Sequence, residues 1–148
     1  MIPEIMPSYG RADIAFERGD GAHLYSADGK RYLDFATGIA VNVLGHNHPR
    51  LVETLTEQGG KLWHVSNLYR IPEQEELARK LVAASFADSA FFCNSGAEAV
   101  EACIKIVRKF QAETGHPERY RIISFDSSFH GRTLSTIAAA KNAAHVAG

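Results

Sequence analysis

The stretch that most constrains this chain is a short apolar run, Phe91-Phe92-Cys93, that ends in Asn94-Ser95-Gly96 and passes at once into an amphipathic helix. Val100, Cys103, Ile104, Val107 and Phe110 recur at three- and four-residue steps, the period of one apolar helical stripe, which predicts a buried face over 95–111. Asn94 and Ser95 are good N-cap types, and Glu98 stands three residues after Ser95, the spacing of a capping box. The first amides of a helix have no partner within it, and the helix dipole makes that end positive. Gly96 and Ala97 carry almost no side chain to cover those amides. A strand feeding such a helix start is a place for an anion, most often a phosphate. The same residues also suit an ordinary capped helix, and spacing alone leaves the two readings open.

The next apolar run, 120–125, follows a turn at Thr114-Gly115-His116-Pro117. Strand 89–93, helix 95–111 and strand 120–125 with short connections predict a right-handed crossover in a parallel α/β sheet. In such sheets ligands sit beyond the carboxyl ends of the strands. One end leads into Asn94 to Glu98, and the other into Asp126-Ser127-Ser128-Phe129-His130-Gly131-Arg132-Thr133. Both loops are therefore expected to open on one edge. Phe129 and His130 are flat rings able to stack on a heterocycle, Gly131 allows close backbone approach, and Arg132 is a charged fork suited to a carboxylate. Taken together they predict a ligand with a phosphate, a flat ring and a carboxylate partner. Taken singly, each has an ordinary packing or surface role as its alternative.

Upstream, residues 13–18 alternate weakly as a short strand, and 22–25 and 30–35 flank Asp28-Gly29, a hairpin signal. Tyr25 and Tyr32 read as ribbon packing. Residues 36–48 form a glycine-punctuated apolar loop that should lie against a core or a partner subunit. His46 and His48, with no carboxylate or cysteine beside them in sequence, make a weak metal pair, and no metal site is expected. Pro49 and Pro72 suit first helical turns, with Gly59-Gly60 as a break. Glu73, Glu75 and Glu76 followed by Arg79 and Lys80 match the dipole of the second of these helices, whose buried side is expected at Leu77, Leu81 and Val82.

Composition narrows the class. With 148 residues, 45% hydrophobic and 22% charged, the chain can support a core. A net charge of -1 without a basic stripe argues against nucleic acid and anionic membrane as partners. No apolar run approaches the roughly 20 residues of a membrane span, and residues 1–7 lack the features of a signal peptide. Cys93 and Cys103 are expected to be buried free thiols in a reducing cytoplasm. The phosphate-loop, dinucleotide and nucleophile-elbow patterns are absent.

The motifs 94–101 and 128–133 resemble those of the class III, pyridoxal-phosphate-dependent aminotransferases. The runs 38–49 and 62–69 are most similar to the members that act on N-acetylornithine in arginine biosynthesis. The resemblance extends from about Tyr9 to the end of the chain. It implies a PLP-dependent transferase of fold type I (aspartate aminotransferase-like) with an incomplete α/β sheet, residues 1–60 as small-domain segment and entrance loops, and 61–148 as the start of the cofactor-binding domain. It implies that Ser95, Gly96 and Ala97 hold the cofactor phosphate, that Phe129 stacks on the pyridine ring, and that Arg132 binds the substrate α-carboxylate. Tyr9 matches a substrate-contacting tyrosine of a related ornithine enzyme. The implied reaction moves an amino group from N-acetylornithine to 2-oxoglutarate in a cytoplasmic homodimer with active sites at the interface. The Schiff-base lysine and the acid that faces the pyridine nitrogen lie downstream in family members and have no match here. Lys141 sits outside any lysine motif. The chain is therefore expected to be the N-terminal part of a longer enzyme, inactive alone, with apolar faces exposed where later strands would pack. Val100, where many members of the acetylornithine branch have asparagine, leaves ornithine, succinylornithine or 4-aminobutyrate open as donors. A non-catalytic module binding a phosphate-bearing ligand or a subunit is the alternative of another class.

Overall fold

The computed structural model describes residues 4–140; Met1 to Pro3 and Lys141 to Gly148, including the lysine considered above, lie outside the described residues. The chain divides into two compact units, Met1–Tyr69 and Arg70–Gly148.

The first unit is built on an antiparallel ribbon, β1 (Phe16–Asp20), β2 (His23–Ser26) and β3 (Arg31–Leu33), in the order β1-β2-β3. The β2–β3 turn forms at Asp28-Gly29, as its residue types require. Gly29 takes φ +81°, its N–H donates to Ser26 O at 2.9 Å, and Ser26 Oγ donates to Asp28 Oδ1 at 2.5 Å. Cross-strand packing accounts for both ribbon tyrosines. The Arg18 guanidinium lies 3.5 Å from the centroid of its partner Tyr25, and Phe16 meets Tyr32 edge to face at 5.4 Å.

Beyond the ribbon the apolar loop is organised by one carboxylate. Asp34 Oδ1 accepts from the Ala36 and Thr37 amides at 3.0 and 2.8 Å, and Oδ2 pairs with His46 Nε2 at 2.8 Å. The short helical turn α1 (Thr37–Ala40) is left-handed, with φ of +47°, +65°, +64° and +61° at its four residues. His46 also bridges to Gly21 through both backbone groups. A Cβ on Gly19 would come within 2.5 Å of the His46 ring, so only glycine lets the ring lie there. His46 thus has a carboxylate after all, brought from twelve residues upstream. Among the described residues no three His, Cys, Asp or Glu side chains are grouped to hold a metal ion. Helix α2 (Pro49–Gly59) starts at its proline and ends at Gly60, whose N–H donates to Thr56 O.

In the second unit α3 (Pro72–Ala83) also opens on proline, with Glu73 and Glu75 in its first turn and Lys80 in its last. Arg70 grips Glu75 with two N–H donors at 2.7 and 2.8 Å, but the pair is exposed and adds little. Helix α4 (Gly96–Glu113) and α5 (Leu134–Ala140) complete the unit. Among the described residues no helix is long and apolar enough to cross a membrane.

Three expectations are corrected. Residues 89–93 and 120–125 are not strands: neither has a ladder partner among the described residues, and the sheet found is the antiparallel ribbon. Both runs have strand-like composition, but a strand exists only with a neighbour to accept and donate its backbone bonds. The helix stripes are not buried either. Phe110 is 60% and Val107 42% exposed, Leu77 and Leu81 are exposed, and Val82 is half-buried. Periodicity identifies the face that would be buried, not whether a partner covers it. Cys93 and Cys103 are free thiols but exposed, Cys103 because it shares that uncovered stripe.

Candidate functional site

The site begins at the start of α4. Ser95 is the N-cap in extended conformation, and its Oγ accepts from Glu98 N at 3.3 Å. Glu98 turns back to accept from Asn94 N at 2.6 Å and Asn94 Nδ2 at 3.3 Å. The capping box therefore closes one residue earlier than its usual form, on Asn94 rather than Ser95. The amides of Gly96 and Ala97 are the first of the helix and have no carbonyl within it to bond. An added Cβ on Gly96 would meet no protein atom within 4 Å, so glycine there keeps space open instead of relieving a clash.

The 126–133 loop comes to this helix end through Gly131. It is buried with φ +130°, and a Cβ on it would lie 2.6 Å from Ala97 Cβ and 3.0 Å from Thr136 Oγ1. Only glycine combines that backbone with that approach. Before it, Ser128 Oγ donates to Phe125 O at 2.7 Å. The hydroxyl has one proton, so at 3.0 Å it accepts from His130 Nε2–H. After it, Thr133 Oγ1 donates to Glu101 Oε1 at 2.5 Å, and the fully buried Thr136 hydroxyl accepts from Thr133 N and donates to Thr133 O, both at 2.9 Å.

Beside these contacts lies an open cavity of about 460 Å³ lined by Gly96, Ala97, Val100, Phe129, His130, Gly131 and Arg132. That volume is in the range of small-ligand sites. The Arg132 guanidinium lies over the Phe129 ring, 5.1 Å from its centroid. Four of the residues singled out in the sequence, Gly96, Ala97, Phe129 and Arg132, thus share one cavity. Ser95 caps the helix beside it without lining it. Tyr9 belongs to the first unit, where it is exposed and carries the Arg11 guanidinium at 5.8 Å. Sequence reading missed Glu101 and Thr133 as partners. The available signal was that Glu101 follows Ala97 by four residues and so shares its helical face. An apolar groove of about 340 Å³, between the α4 stripe and 122–125, shares His130 as a wall but has few polar groups to orient a ligand.

A strand-composition run, a capped helix start and an aromatic-arginine loop around one cavity fit a site for a ligand that carries a phosphate and a flat ring. The Aminotransferase class-III family pattern matches residues 5–147, and the chain belongs to that family. Its fold is the corresponding part of fold type I, an α/β piece with a small sheet. It is 60% identical over 147 residues to the acetylornithine aminotransferase of Brucella melitensis, covering 99% of this chain and 36% of that protein. It resembles the crystal structure of N-acetylornithine aminotransferase from Stenotrophomonas maltophilia at 47% identity and TM-score 0.75, over 83% of this chain and 34% of that one. It also resembles the omega transaminase of Pseudomonas jessenii in complex with PMP at 27% identity and TM-score 0.84, over 91% of this chain and 31% of that one. The chain therefore spans about a third of the length of the relatives it matches. Family membership implies pyridoxal phosphate, and the residues fit it: a helix start with free amides, space kept open at Gly96, and an aromatic ring in one cavity.

Proposed function

We propose that this chain carries the cofactor- and carboxylate-binding loops of an acetylornithine aminotransferase, which moves an amino group from N2-acetyl-L-ornithine to 2-oxoglutarate in arginine biosynthesis. The reading is carried by one observation: Gly96, Ala97, Phe129 and Arg132 line a single cavity. In this proposal the α4 amides of Gly96 and Ala97, with the Ser95 hydroxyl, hold the phosphate. Phe129 covers one face of the pyridine ring; the guanidinium takes one face of Phe129 and leaves the other for the heterocycle. Arg132 takes the substrate α-carboxylate through its planar fork, and Tyr9 contacts substrate. Bound there, pyridoxal phosphate supplies an electron sink and an amino-group carrier. The chain's own residues bind, orient and cover it.

The same proposal assigns residues 1–60 to a small-domain segment and entrance loops and 61–148 to the start of the cofactor domain, in a cytoplasmic homodimer. Residues 1–148 alone are expected not to transaminate, since they contain no match to the family's lysine. One observation keeps a second donor in view: Val100, the departure from the acetylornithine branch, lines the cavity. Ornithine, succinylornithine or 4-aminobutyrate as donor is thus the second reading.

The test is titration of the full-length protein with pyridoxal 5'-phosphate, followed by absorbance, with inorganic phosphate as competitor. Saturable uptake, competed by phosphate and lost in Gly96→Val, is expected. Uptake indifferent to Gly96→Val overturns the assignment of the helix start, and a donor panel on the same protein separates the two readings.

A further inference from the structure

Arg132 is the single residue between two docking points on one face of α4. Ala97 and Glu101 are four residues apart, so their side chains stack on the same face. Gly131 rests on Ala97, with room for no side chain between them, and Thr133 hydrogen-bonds Glu101. The two points fix the backbone on both sides of Arg132. We infer that Glu101 and Thr133 are positioning residues that set where the Arg132 guanidinium stands over the cavity, and so set the affinity for the carboxylate it takes.

The proton inventory gives the clamp a direction. An ionised carboxylate only accepts, and each threonine hydroxyl has one proton to give. The Thr133 proton goes to Glu101 Oε1 at 2.5 Å. The Thr136 proton returns to Thr133, whose carbonyl and hydroxyl oxygens lie at 2.9 and 3.0 Å. Thr136 in turn accepts from Thr133 N. Thr136 is fully buried, so its own bonds to Thr133 have no water to replace them, whereas the Thr133–Glu101 bond lies at the surface. Neither Glu101 nor Thr133 lines the cavity; Arg132, next to Thr133 in the chain, is the lining residue with a charged side chain to bring to a ligand.

This inference rests on the proposed function for the identity of the ligands, and its test separates the two. In full-length protein, Thr133→Val weakens 2-oxoglutarate binding on the order of ten-fold, the scale of a displaced binding group, while pyridoxal 5'-phosphate affinity stays near that of the parent. Thr133→Ser, which keeps the hydroxyl, restores the 2-oxoglutarate affinity. Adding Glu101→Ala to Thr133→Val causes no further loss, because both remove one bond. With arginine labelled and no ligand present, the Arg132 Nε–H resonance moves in Thr133→Val and returns in Thr133→Ser. An unmoved resonance, or equal loss of both ligands in Thr133→Val, overturns the clamp. Failure of the parent protein to take up pyridoxal phosphate overturns the proposed function instead, and the resonance still decides the clamp.

Discussion

Two loops in this molecule are each tied down by a carboxylate, and they differ in how far the carboxylate reaches. Asp34 holds His46 across 12 residues and caps two amides of its own loop. Glu101 holds Thr133 across 32 residues through one hydroxyl. The longer closure costs about 0.9 kcal/mol more in loop entropy, a difference comparable to one hydrogen bond. The long loop adds a second anchor, Gly131 on Ala97, and the short one relies on a dense local network. Asp34 binds two amides within three residues of itself and only His46 from farther along, whereas distant anchors need a shape that must be right at both ends.

The comparison breaks first at the distant anchor. Gly131→Ala puts a methyl 2.6 Å from Ala97 Cβ in a backbone with φ +130°. It is expected to cost about 3 kcal/mol in chemical denaturation, from overpacking and backbone strain together, and to abolish pyridoxal phosphate uptake. A smaller effect is expected at the local network. The His46 hydrogen bond first, and the Thr37 amide next, hold the Asp34 carboxyl below the usual carboxylate range. A group with a lowered folded pKa adds stability above its unfolded value, near pH 4, and loses it as pH falls through the folded value. The amides of 36–46 are expected to lose exchange protection only below that range. Asp34→Asn should lower protection at neutral pH and flatten the acid limb; an unchanged acid limb would show that the carboxylate does not hold the loop. Smallest is Ser95→Ala, expected to cost about 0.5 kcal/mol, at the low end for an N-cap because the bond to Glu98 N is long at 3.3 Å. Thermal melts can resolve it.

The contrast also explains what could be read before the structure. The Asp28-Gly29 turn, the proline starts of α2 and α3, and the Ser95–Glu98 cap depend on residues within a few positions of each other, and each appears where its signal lies. Gly96 and Arg132 do line one cavity as expected, but the sheet edge that the expectation relied on is not what groups them: neither 89–93 nor 120–125 forms a ladder among the described residues. Strand formation at 89–93 and 120–125, and burial of the α4 stripe, depend on elements that local pattern does not contain. Glu101 with Thr133, and Asp34 with His46, were hidden for the same reason: neither pair is close in sequence.

The turn at Thr37–Ala40 carries strain of its own. Its four residues wind against the natural grain of L-amino acids, and three of them are not glycine. At roughly 1–2 kcal/mol each, those three store about 3–6 kcal/mol of misfit. The turn is a wound spring with Asp34 as its catch. Loss of the Asp34 bonds to the Ala36 and Thr37 amides is expected to let the turn's residues relax toward negative φ.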